Sequence, residues 1–212
     1  MDGIIGIIAA LSVILLGVIF FVAMALRRKR AIESDGYKKI DVVDPSIRSL
    51  TTSLFEGSPV EVHRKESPNG LSWLVFVDSG SSDDSGCVML VYPGSNDDWP
   101  TLAIVHSARP IPKIFRDLTG GMFKRLVPTA ESEFDGLAGT GWYAYQEADR
   151  AIPPALKERM AEAVQIPRSA GLLGIALIDS HLVVWSDASR LRTLLAIAPL
   201  VRETILPHDQ RG

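Results

Sequence analysis

Asp78 is the residue that its neighbours place best for catalysis. It ends the apolar run Leu74-Val75-Phe76-Val77 and is followed by Ser79-Gly80-Ser81-Ser82. A carboxylate at such a turn activates water when a second carboxylate shares its proton. No second apolar run leads into a triplet like Asp78-Ser79-Gly80, and the polar turn Asp83-Asp84-Ser85-Gly86 comes directly after Ser82. Metal chemistry has less support. His63, His106, His181 and His208 lack ligand partners at short spacing, and each is expected at a strand end, turn or tail, in solvent. Asp83, Asp84, Asp97 and Asp98 would make a calcium site only if two loops met, and their spacing fits no EF-hand. Gly136-Leu137-Ala138-Gly139-Thr140-Gly141 has neither the dinucleotide-binding order of glycines nor a Walker lysine, so it reads as a turn. With Cys87 alone, no intrachain disulfide or thiolate metal cluster can form. No Ser-His-Asp or Cys-His arrangement is legible. No metal and no cofactor is expected.

The stretch from Leu74 to Ser82 resembles the catalytic loop of aspartic proteases, and Phe134-Asp135-Gly136 resembles a non-catalytic stretch of their pepsin-like members. The resemblance implies a membrane-anchored hydrolase with Asp78 as one of two proton-sharing aspartates. That family also needs a second loop or a symmetric dimer, and a flap. An ordinary hairpin loop is the expectation here.

The element that positions everything else is Ile4 to Leu26, which has no charged residue and Ser12 as its only hydroxyl. A bilayer core of about 30 Å takes about 20 apolar residues of helix, so this stretch reads as one membrane span. A cleaved signal peptide carries its cations before a shorter apolar core. Here the order is reversed: Asp2 precedes the core and Arg27-Arg28-Lys29-Arg30 follows it. Cations next to a span stay cytoplasmic, which predicts a single-pass protein of the inner (cytoplasmic) membrane, N-terminus outside, residues 31–212 in the cytoplasm. Gly6, Ala10, Val13 and Gly17 fall along one side of this helix and offer a contact face to a transmembrane partner.

The chain carries 22 cationic and 25 acidic residues, a net charge of -3. Beyond residue 30 the count is 18 against 24, or -6, which argues against nucleic acid as a partner. Between Pro110 and Pro128, however, Lys113, Arg116, Lys124 and Arg125 face one acid, Asp117. Together with Arg27, Arg28, Lys29 and Arg30 they make a candidate patch for the membrane surface or an anionic partner.

The predicted organisation is a transmembrane anchor with its basic stop (1–30), then a polar tether and short helix (31–56). An antiparallel β meander with the basic connection (57–128), a β-α-β-β-α module (129–206) and a tail (207–212) complete the chain. Asp44-Pro45 starts the short helix, which runs to about Phe55. Period-two apolar runs predict strands at 60–63, 71–77, 87–92 and 101–105. A strand at 141–148, a helix at 153–166, a hairpin over 171–185 and a closing helix after Asp187 complete an α+β fold with helices on one side of the sheet.

Glu133-Phe134-Asp135, Tyr143-Ala144-Tyr145, the run from Ala155 to Met160, and the final hairpin and helix are similar to a group of uncharacterised bacterial single-span membrane proteins with a cytoplasmic α+β domain. The resemblance is one of pattern and implies no activity. The functional expectation is a non-enzymatic accessory or stabilising subunit of a larger membrane complex, of photosynthetic, respiratory or transport type. A membrane-anchored hydrolase and a cytoplasmic ligand or lipid sensor are the alternatives.

Overall fold

The computed structural model describes residues 2–55, 58–68, 70–78, 86–94, 99–107, 126–129, 134, 137, 139–166 and 171–206, with the side chains of 2–10 and 78 left aside. The chain forms two compact units, 1–38 and 39–212.

The first unit is helix α1, Asp2–Ser34, 33 residues or about 50 Å long. Its most apolar 18-residue window within Leu11–Ser34 has a mean hydropathy of 2.1 and no buried residue, whereas Ile32 near the helix end is buried. Among the described residues it is the one helix long and apolar enough to cross a membrane. The helix does not stop at the basic run. It ends in a left-handed turn at Gly36 (φ +85°), where the Gly36 amide donates to the Glu33 carbonyl at 3.0 Å and the Tyr37 amide to the Ile32 carbonyl at 3.1 Å. These are the paired bonds of a Schellman closure, which satisfies carbonyls the helix end leaves open. The polar tether expected from residue 31 is therefore helical at its start.

The second unit is built on a nine-stranded sheet. In chain order the elements are β1 (Lys38–Lys39, at the boundary between the units), α2 (Pro45–Phe55), β2 (Ser58–Ser67), β3 (Gly70–Asp78), β4 (Cys87–Pro93), β5 (Leu102–His106) and β6 (Leu126–Pro128). Then come β7 (Trp142–Glu147), α3 (Pro154–Gln165), β8 (Gly174–Ile178), β9 (His181–Asp187) and α4 (Leu191–Ile205). The spatial order is β1-β2-β3-β4-β9-β8-β5-β7-β6, with every pairing from β2 to β6 antiparallel.

This order corrects the expected meander. Strands β2, β3 and β4 do run side by side, but β5 pairs with β7 and β8, and the hairpin β8–β9 fills the space between β4 and β5. The physical reason lies in burial. Strands β8 and β9 are apolar on both faces and must lie inside a sheet, while strands with Lys38-Lys39 or Pro128 suit its edges. Segments expected as separate modules thus share one sheet.

The helices also lie on both faces rather than one. Ile47, Leu50 and Leu54 of α2 pack with Trp73, Val75, Met89, Val183 and Trp185 on one face. On the other, the Arg202 guanidinium of α4 sits over the Tyr92 ring, 5.7 Å from its centre. Leu74, Leu90, Val184, Ile175 and Ile104 are aligned across five strands on this second face, each at most 1 % exposed. A row this apolar needs its own cover. The pair α3–α4 is tied by Arg159, whose Nη1 donates to the Ile205 carbonyl at 3.4 Å.

Candidate functional site

The residues that single out this chain lie on α1. Its apolar surface is open from Leu11 to Leu26, and Arg27, Arg28, Lys29 and Arg30 follow without a break in the helix, all exposed. Lys29 Nζ reaches Glu33 Oε1 at 3.7 Å, one turn further on. In the expected contact row, Val13 is exposed and Gly17 half-exposed, and a Cβ added to Gly17 would meet nothing within 4 Å. Gly6 and Ala10 continue the helix, but their side chains lie outside the described residues.

The remaining candidates are scattered. Asp78 is the last residue of β3, its backbone opposite Ser58, and its side chain and the loop 79–85 lie outside the described residues. So do Asp97, Asp98, His208 and the whole basic connection with Lys113, Arg116, Lys124 and Arg125.

The histidines depart from expectation in one case. His63 is buried, with Nε2 3.0 Å from Glu61 Oε1 and its ring against Phe76, because strand β2 turns it inward beside β3. His106 stacks edge-on with Trp142, and His181 Nδ1 lies 2.5 Å from the Asp179 carbonyl oxygen in the β8–β9 turn. No three His, Cys, Asp or Glu residues converge on a metal position among the described residues. Gly139 and Gly141 carry positive φ in the turn that leads into β7, as the glycine pattern suggested.

Two carboxylates are tuned by helix capping. Asp44 Oδ1 accepts from the Ser46 amide at 2.9 Å and the Ser46 hydroxyl at 2.8 Å, bonds that hold its pKa below the usual value. Asp187 is lowered in the same way by the Ser189 hydroxyl and amide. Burial, with a smaller push from Asp187, raises the Cys87 thiol to about 12. That sulfur is held as a thiol and is a poor nucleophile at neutral pH.

One surface feature escaped the sequence reading. Val43, Pro45, Arg48, Ser49, Thr52 and Ser53 line an open depression along the outer side of α2. Its signal was present: this outward side carries hydroxyls and one cation where a solvated helix face usually carries many charges.

No family model and no curated protein matches the chain. A solved structure does. The fold is similar to that in the crystal structure of the mycobacterial trehalose monomycolate transport factor A, TtfA, with a TM-score of 0.50. The likeness covers 87 % of this chain and 97 % of that one at 10 % sequence identity, so what the two share is a fold.

Proposed function

We propose that this chain is a non-enzymatic, single-span membrane protein that serves as an accessory factor of a bacterial membrane transport assembly. In this reading α1 crosses the inner membrane with its N-terminus outside, Arg27–Arg30 mark the cytoplasmic boundary, and residues 39–212 form a cytoplasmic domain that contacts other subunits. The observation that carries the proposal is the fold likeness to TtfA, a transport factor, along nearly all of the solved chain. It favours transport among the three expected types of host complex. The apolar part of α1, which buries no residue, supports the membrane part of the reading. A transmembrane partner would take up the row from Gly6 to Gly17, where small side chains let a second helix approach.

The test is mild detergent extraction of the full chain from its native membrane, followed by native mass analysis. A stoichiometric complex with a multi-span transport protein is the expected result. A lone monomer would overturn the proposal.

A further inference from the structure

The run Arg27-Arg28-Lys29-Arg30 is helical, and the helix continues beyond it to Ser34, where the turn at Gly36 and Tyr37 closes it. Consecutive helix positions differ by about 100°, so four adjacent cations point to four sides of the axis. They form a ring and not a stripe. The ring occupies about 4.5 Å along the axis, directly after the apolar surface ends at Leu26. One turn beyond it the sign changes, at Glu33 and Asp35.

We propose that this ring is a binding collar for the phosphate headgroups of anionic glycerophospholipids in one leaflet. The inference rests on the single-span reading above and names the ligand of its basic boundary. A protein partner packs on one side of a helix and would leave the cations on the other sides unused, whereas lipid reaches every side that a partner leaves open. Three of the four cations are arginine, whose planar fork binds phosphate through two parallel hydrogen bonds. The narrow axial extent fits a thin layer of phosphates, and the acids at Glu33 and Asp35 oppose deeper insertion toward an anionic surface. A flexible basic tether would attract the same lipids without fixing depth. The closed helix end holds these charges on a rigid lattice.

The experiment uses the full chain in vesicles of equimolar phosphatidylglycerol and phosphatidylcholine. The readout is the number of each lipid retained on the protein in native mass spectrometry. Phosphatidylglycerol should be retained preferentially, and each of Arg27→Gln, Arg28→Gln, Lys29→Gln and Arg30→Gln should lower that preference by a similar factor, about five-fold. A second variant combines Arg28→Ala and Lys29→Ala with Ala31→Arg and Ser34→Lys, which keeps the charge but gathers it on one side. It should retain clearly fewer anionic lipids. Equal retention by this variant, or an effect confined to one or two of the four single changes, overturns the collar. A wild-type chain that fails to enter vesicles at all overturns the single-span reading itself. A chain that enters them with no preference for phosphatidylglycerol overturns the collar alone.

Discussion

Gly174 on β8 lies directly beneath the indole of Trp185 on β9: a Cβ at position 174 would come within 2.1 Å of the ring. The two residues are register partners, and the indole also meets Phe55 of α2 edge-on, with ring centres 5.9 Å apart. The absence of one side chain therefore seats the tryptophan, and the tryptophan seats the helix. Gly174→Ala should destabilise the domain by at least about 2 kcal/mol, because a packed core does not yield to added volume without strain. Denaturant unfolding of the full chain in detergent measures this. Combining it with Trp185→Leu should return part of the loss, and additive costs would show that the two positions are not coupled.

The caps at Asp44 and Asp187 give stability a defined pH dependence. Both carboxyls sit below their ordinary 3.8 in the folded chain, so the unfolded chain binds the proton more readily. Their contribution is fully present above 3.8 and is lost as pH falls through the lowered folded values. Asp187→Ala should cost about 1 kcal/mol at neutral pH and much less in acid. A cost that stays constant from neutral pH down to about pH 3 would sink this account of the cap.

Strand and helix positions were legible because they depend on local period. Leu74, Leu90 and Val184 sit in runs whose apolar content marks them as strands without any tertiary knowledge. Their neighbours were not legible. Leu90 and Ile104 both need apolar partners on either side, and nothing in their own letters states that Val184 and Ile175 will come between them. The same ambiguity hid the second face: an apolar strand shows that both sides are covered, not which helix covers which. For the candidate site, the sequence already held the cation ring, but not the helix that makes it a ring. Gly36 was the signal for that extension, as a glycine just past a helical run commonly marks its left-handed end.

Gly36 itself yields a test. A side chain there would be strained at φ +85°, so Gly36→Ala should cost about 1 kcal/mol locally and loosen the closing bonds from Gly36 and Tyr37. Hydrogen exchange should rise at residues 36 and 37 while the sheet keeps its protection. Unchanged exchange would mean that the closure does not hold the helix end.

Cys87 should resist alkylation in the folded chain at about pH 8, since its thiol is raised to about 12. Reaction should speed up sharply in denaturant. Rapid labelling under native conditions would contradict the burial that sets this shift.

The proposed transmembrane contact row allows a clean substitution because α1 has room around Gly17. Among the described residues nothing lies within 4 Å of a Cβ there, so Gly17→Leu introduces no internal clash and adds to the apolar surface. Membrane insertion should be unaffected or slightly favoured. A helix packed closely against Gly17 would, in contrast, be pushed away by the larger side chain. The variant, alone or with Gly6→Leu, is thus expected to insert normally and lose its co-purifying membrane partner. If the partner remains at wild-type stoichiometry, α1 is an anchor, and the contacts of the proposed accessory role must be sought on the domain at 39–212.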